Sequence, residues 1–201
     1  MNLHGKNKKK AAIFGGTFDP FHNGHLKIID YVLENFNLDK IFLVPAGNQY
    51  MKTIPPKATP AQRFDMCKLG VHSQLIELID YEIKKTSPSY TFDTLKYLEK
   101  NKSEFSVSYI ILGTDAYDEI SLWKEAEFLI NNYKFIIIKR DQKNCVKKKN
   151  NFPVVKISKI SNISSSKIRE KIRKKEPILL DTPMEIQKYI TDNNLYKDER
   201  K

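Results

Sequence analysis

Ala11-Ala12-Ile13-Phe14 runs directly into Gly15-Gly16-Thr17-Phe18-Asp19-Pro20-Phe21-His22-Asn23-Gly24-His25-Leu26, and the reading of this stretch decides the fold. The apolar run predicts a short strand, and the glycines and proline behind it predict a tight turn. From Leu26 the apolar residues recur at helical spacing through Ile29, Val32 or Leu33, and Phe36. A helix therefore begins near Asn23 or Gly24. Strand, turn and helix in that order make the first half of a βα unit.

The rest of the chain repeats the pattern. Strands are expected over Ile41–Val44, Leu75–Ile79, Val107–Leu112, Tyr133–Ile138 and Val154–Ile157. Helices are expected over Pro60–Val71, Thr91–Lys100, Trp123–Ile130, Ser164–Arg173 and Pro183–Ile190. This alternation implies an α/β fold: a doubly wound parallel sheet with helices on both faces and a small helical part at the C-terminus. Gly47–Thr59 and Asp141–Phe152 read as linker-like. One domain over 11–196 is expected, between a basic tail over 1–10 and a short tail over 197–201. In open sheets of this kind ligands bind beyond the carboxyl ends of the strands, which is where the opening stretch falls.

The chain has 201 residues, of which 40% are apolar, enough for a real core, and no window reads as a membrane span. Its two cysteines, Cys67 and Cys145, have neither metal nor redox spacing, so a reducing, cytoplasmic location is expected. The net charge of +11 favours anionic partners, but the lysines are scattered rather than organised. Nucleic-acid binding would need basic and aromatic residues interleaved, and that pattern is missing, so neither nucleic acid nor membrane is expected as a partner.

The Gly-His stretch has neither a Walker A lysine nor the glycine spacing of a dinucleotide fingerprint. Gly15 and Gly16 nevertheless let backbone N–H groups approach a ligand, and a helix N-terminus follows that favours an anion. His22 and His25, three apart, can share one side of the first helical turn. A metal pair is the weakest reading, because two ligands have no companion cluster. The residues alone leave two readings open: a tight βα turn with incidental histidines, and a phosphate clamp.

Gly15 to His25 resembles the signature of the His-x-Gly-His nucleotidyltransferase superfamily, and most of all its nicotinate/nicotinamide mononucleotide adenylyltransferases of bacterial type. Three further segments are similar to that group in consistent order. They are Ser89-Tyr90-Thr91-Phe92-Asp93-Thr94-Leu95, Leu112-Gly113-Thr114-Asp115 with Trp123 beyond it, and Ile163-Ser164-Ser165-Ser166-Lys167-Ile168-Arg169. Pro183 to Tyr196 is similar to the family's closing helix. The likeness spans about residues 10 to 196 and implies a Rossmann-like fold.

The resemblance implies transfer of the adenylyl group of ATP to a pyridine mononucleotide, with a dinucleotide and pyrophosphate as products. Gly15, Gly16, Thr17 and Phe18 are implied to cradle phosphate and ribose, while His22 and His25 meet ATP phosphate oxygens. Ser164, Ser165 and Ser166 would present hydroxyls and amides to the β- and γ-phosphates, and Arg169 would hold the departing pyrophosphate. Gly113, Asp115 and Arg140 are implied for the rest of ATP. Thr17, Lys52, Thr91, Trp123 and Lys124 are implied for the mononucleotide, with Trp123 against the pyridine ring. Taken without the resemblance, the serines and Asp115 read equally as helix caps, Trp123 as a half-buried helix-start residue and Arg140 as a solvated strand end.

Mg²⁺ is expected to arrive with ATP, since no carboxylate cluster marks a protein-held site. The acid, nicotinate mononucleotide, is the expected substrate over the amide. Where the family often has Pro-Pro-His-Lys, this chain has Gln49-Tyr50-Met51-Lys52, so an imidazole is missing. Sibling activities on phosphopantetheine or a phospho-alcohol form the nearest alternative, and a nucleic-acid-binding protein a distant one. The oligomeric state stays open, a homo-oligomer included.

Overall fold

The computed structural model describes residues 8–48, 54–139, 154–156 and 163–197. The elements follow in the order β1 (Lys9–Gly16), α1 (Asn23–Asn35), β2 (Lys40–Pro45), α2 (Pro60–Gly70), β3 (Ile76–Leu78), α3 (Thr91–Asn101), β4 (Phe105–Gly113) and α4 (Thr114–Asp118). A 3-10 turn at Ile120–Leu122 then leads to α5 (Ala126–Asn132), β5 (Lys134–Lys139), β6 (Val154–Lys156), α6 (Ser165–Arg173) and α7 (Met184–Asp192). The six strands form one sheet in the order β3-β2-β1-β4-β5-β6, with every pairing parallel.

The period-two alternation of strand side chains explains why β1 is apolar on both faces. Ala12 and Phe14 point into a core with Ile28, Ile29 and Val32 of α1, Met66 of α2 and Ile186 of α7. Ala11 and Ile13 point into the opposite core, with Leu95 and Leu98 of α3 and Leu129 of α5. Each such buried aliphatic side chain stabilises the fold by about 1.5–3 kcal/mol relative to an exposed one. β1 and β4 lie side by side at the centre, and the chain winds outward from them in opposite directions. That junction is the topological switch point, where a crevice opens beyond the strand ends.

Helix starts follow their sequence signals. Thr59 caps α2, accepting from the Gln62 backbone at 3.2 Å while the Gln62 side chain accepts from the Thr59 N–H at 2.9 Å. Ser164 caps α6, accepting from the Lys167 backbone at 3.3 Å.

Three elements differ from their sequence expectations. β1 takes in Lys9 and Lys10, which composition assigns to the tail. The helix expected over Trp123–Ile130 begins only at Ala126, because Glu125 adopts a left-handed conformation with φ 56° and Trp123 is extended. The helical turn Thr114–Asp118 carries too few residues to show periodicity. Cys67 is buried on α2, whereas Cys145 and the whole basic segment 141–152 lie outside the described residues. Among the described residues no helix is long and apolar enough to cross a membrane.

Candidate active site

A cavity of about 810 Å³ opens at the switch point. Its walls are the turn after β1, the first turn of α1, the end of β4 with the start of α4, and the N-terminal ends of α3 and α6. Helix N-termini bring unpaired N–H groups and the positive end of the helix dipole, so the cavity suits an anion.

Gly15, one residue before the end of β1, and Gly113, the last residue of the adjacent β4, line this crevice, and a methyl group placed at either would meet nothing within 4 Å. Gly16 has a different role: a side chain there would run into the Phe18 ring at 2.7 Å. Phe18 adopts φ 52°, an unusual conformation for a bulky residue. Edge contacts with Phe14 and Phe21, both at 5.5 Å between ring centres, hold it there.

His25 lines the cavity and is 5% exposed. Its Nδ1 accepts the His22 backbone N–H at 3.2 Å. That bond uses the Nδ1 lone pair, so in the neutral ring the proton sits on Nε2, which becomes a donor. His22 does not line the cavity. Its ring lies 3.6 Å from that of His25, nearly parallel, and is almost fully buried. Phe21 stacks on His25 at 5.3 Å. The two imidazoles thus form one stack, with His25 in front.

The far wall comes from α6. Ser164, Ser165, Ser166 and Arg169 all line the cavity. Ser165 Oγ donates to the Pro20 carbonyl at 3.0 Å, and Arg169 Nη1 donates to the Asp19 carbonyl at 2.6 Å. Arg169 Nη2 also donates to Ser166 Oγ at 3.4 Å. These bonds pin α6 to the turn between β1 and α1.

At the other end the cavity is lined by Tyr90 and Thr91, at the start of α3, and by Trp123 and Lys124. Lys124 Nζ pairs with Asp93 at 2.7 Å and lies 5.1 Å over the Tyr90 ring. The Asp93 bond holds its ammonium pKa above the ordinary value. Asp115 stands in the first turn of α4, on the cavity wall. Lys52 and Arg140 lie outside the described residues.

Sequence reasoning missed four residues around this cavity. Asp19 is 3% exposed and accepts from the Lys57 and Ala58 backbones and from the Tyr196 hydroxyl, at 2.9, 3.1 and 2.8 Å. Burial and this carboxylate push the Tyr196 phenol well above its ordinary pKa. Arg63 is 1% exposed and donates Nη1 to the Thr17 carbonyl at 2.8 Å. Glu82 lines the cavity, is buried, and accepts the Thr94 hydroxyl at 2.7 Å. Burial pushes its carboxyl above the usual range, and the Thr94 hydrogen bond pulls it partly back. Asp19 and Tyr196 fall inside quoted motifs, which was the signal available for them. Arg63 and Glu82 carried no such signal.

Two helix starts and a glycine-lined turn facing one cavity define a nucleotide-binding α/β protein with the parts for phosphate chemistry. The chain belongs to the cytidylyltransferase-like family, whose pattern matches residues 13–171. It is 37% identical over 199 residues to a Clostridium botulinum (strain Okra) protein named "Probable nicotinate-nucleotide adenylyltransferase", covering 92% of this chain and 98% of that one. A Caldicellulosiruptor bescii protein of the same name is 33% identical over 201 residues, covering 94% and 99%. The solved structure of Plasmodium falciparum nicotinic acid mononucleotide adenylyltransferase complexed with NaAD superposes with a TM-score of 0.76. It is 26% identical and covers 94% of this chain and 97% of that one.

Proposed function

We propose that this protein is a nicotinate-nucleotide adenylyltransferase. It transfers the adenylyl group of ATP to nicotinate mononucleotide and releases pyrophosphate, a step of NAD biosynthesis. The observation that carries the reading is the meeting of His25 and Arg169 on one cavity, joined through the Asp19–Pro20 backbone. Relatives of that name, and the match to an enzyme complexed with NaAD, support the same substrates.

The phosphate of the mononucleotide is already ionised, so its attack on the α-phosphorus needs no strong base. The work left to the protein is to align the reactants and stabilise charge on the transferring group. In this reading ATP's phosphates lie between the starts of α1 and α6. Gly15 leaves room for them beside the strand end, with Gly16, Thr17 and Phe18 forming the turn around them. His25 donates from Nε2 to an oxygen on the α-phosphorus, and the stacked His22 keeps that imidazole in place. Ser164, Ser165, Ser166 and the free amides of α6 receive the outer phosphates. Arg169 takes the charge that builds on pyrophosphate as the bond breaks.

Gly113, Asp115 and Arg140 complete the ATP site, with Asp115 accepting from ribose hydroxyls. Trp123 stacks on the pyridine ring. The first-turn amides of α3 around Thr91, with the backbone at Lys124, suit a carboxylate better than a carboxamide, which favours the acid substrate. Lys52 attracts the incoming phosphate. Mg²⁺ enters as part of the ATP complex, as substrate; among the described residues no cluster of three ligating side chains is placed to hold a metal.

The reading is tested by incubating the pure protein with ATP and Mg²⁺ and, in separate reactions, nicotinate mononucleotide, nicotinamide mononucleotide or phosphopantetheine. Dinucleotide and pyrophosphate are expected with the pyridine substrates, and more efficiently with the acid. Product from phosphopantetheine alone, or from none of the three, rejects the assignment.

A further inference from the structure

Ser164, Ser165 and Ser166 stand at three consecutive positions on the cavity wall, yet their hydroxyls are engaged differently. A hydroxyl has one proton to give and two lone pairs to accept with, and an ionised phosphate oxygen has to be met by a donor. Ser164 Oγ accepts the Lys167 N–H at 3.3 Å, and Ser166 Oγ accepts from Arg169 Nη2 at 3.4 Å. Neither of those bonds uses the hydroxyl's own proton. Ser165 Oγ lies 3.0 Å from the Pro20 carbonyl, which can only accept. Its proton is therefore spent inside the protein. Turning that hydroxyl to a phosphate would take the donor away from a carbonyl on a buried residue, which carries a desolvation cost.

The Ser165 bond has a companion. Ser165 and Arg169 are four apart on α6, so they share one face of the helix, one turn apart. Their acceptors, the carbonyls of Pro20 and Asp19, are consecutive in the turn after β1. One bond alone would let the helix pivot about it, whereas two on one face fix how it is set against the turn. The turn itself is firmly held. The Asp19 carboxylate accepts from the Lys57 and Ala58 N–H groups and the Tyr196 hydroxyl, and the Thr17 carbonyl accepts Arg63 Nη1 at 2.8 Å. Asn23, three residues after Pro20, begins α1, which carries His25. The paired bonds thus set the start of α6 against the start of α1.

We propose that Ser165 is a positioning residue whose hydroxyl holds α6 on the Pro20 carbonyl and so aligns Arg169 with His25. The outer phosphates are met instead by the hydroxyls of Ser164 and Ser166. The N–H groups of Ser165 and Ser166, at the first two positions of α6, have no partner within the helix and join them. The proposal rests on the reaction assigned above and divides among the three serines the work given there to all of them. A small displacement of a group that acts in the transition state costs rate. It costs ground-state binding little when the contact is made mainly in that state.

Steady-state kinetics with ATP and nicotinate mononucleotide test it on the full chain, together with calorimetric binding of the non-reactive α,β-methylene analogue of ATP and thermal melts. Ser165→Ala is expected to lower kcat about ten-fold or more and to change the dissociation constant of the analogue by less than about two-fold. Ser165→Thr restores a hydroxyl and recovers most of kcat. Because Ser165 acts through Arg169, adding Ser165→Ala to Arg169→Lys lowers kcat little further. Ser165→Cys, a similar shape with a weaker donor, serves where Ser165→Ala fails to fold, and it loses kcat in the same way. A lowered melting temperature with unchanged kcat marks a purely structural bond and overturns the proposal. So does an analogue bound about ten-fold more weakly by Ser165→Ala, with effects on kcat that multiply in the double variant, because that is the behaviour of a direct phosphate ligand. A natural protein that makes no dinucleotide rejects the reaction assignment itself, and the role of Ser165 in it.

Discussion

Arg169 Nη1 donates to the carbonyl oxygen of Asp19 at 2.6 Å, across 150 residues of sequence. This bond joins the last motif of the chain to the first, and Arg169 lines the same cavity as His25. The proposed chemistry depends on that junction, because it puts a guanidinium and an imidazole donor on the wall of one cavity of about 810 Å³.

Replacing Arg169 by Lys keeps the charge but removes the planar fork that can hold both a carbonyl and a phosphate. Losing a contact made mainly in the transition state lowers kcat by about 10²-fold or more and moves KM little. Steady-state kinetics with nicotinate mononucleotide checks this, and an unchanged kcat removes Arg169 from the mechanism.

His25→Ala is expected to lower kcat far more than it weakens mononucleotide binding. Because His22 stacks behind His25 at 3.6 Å, the two act as one unit. The double variant should therefore cost about as much as His25→Ala alone. Effects that multiply instead would mean that each imidazole reaches the substrate independently.

Two glycines give opposite predictions from the same substitution. Gly15→Ala adds a methyl where nothing lies within 4 Å, so the melting temperature holds. The methyl takes space from the phosphates, and KM for ATP rises about ten-fold or more. Gly47→Ala instead drives a methyl onto the Glu82 carbonyl and costs about 1–3 kcal/mol of stability. Thermal melts alongside ATP kinetics separate the two; a destabilised Gly15→Ala protein with normal KM contradicts the cavity assignment.

Glu82 gives a pH signature. Its folded-state carboxyl titrates above the unfolded value because burial penalises the charge. Between the two pKa values the folded state binds more protons, so this group's contribution to stability falls as pH rises through that window. Glu82→Gln lacks the titration. Melting temperatures from pH 4 upward should show the variant gaining on the natural protein as pH rises, and a constant gap refutes the assignment.

Much of the fold was legible because its signals are local and repeated. Ile41–Val44, a continuous apolar run ended by Pro45, reads as a strand, and Leu26 to Phe36 carries a clear helical period. The motifs that carry the family resemblance also marked His25, Arg169, Thr91 and Trp123, and the structure brings these onto one cavity. The misses have physical causes. α5 starts late because one residue, Glu125, enters the left-handed region, and nothing in Trp-Lys-Glu-Ala announces that. Arg63 stands between Gln62 and Phe64, and nothing in that local pattern marks it as buried. Its burial follows from three carbonyls that only the folded chain assembles. The connection after β2 looks like a loose linker, yet its described ends are tied to Asp19 and Arg63.

The claim at the centre of this account is that ATP lies with its α-phosphorus at His25 and its outer phosphates at α6 and Arg169. The most direct measurement follows labelled phosphorus through one turnover with nicotinate mononucleotide. Label from the α-position is predicted to appear wholly in the dinucleotide, and label from the γ-position wholly in pyrophosphate. Label from the γ-position on the acceptor, or label from the α-position released as AMP, would contradict it.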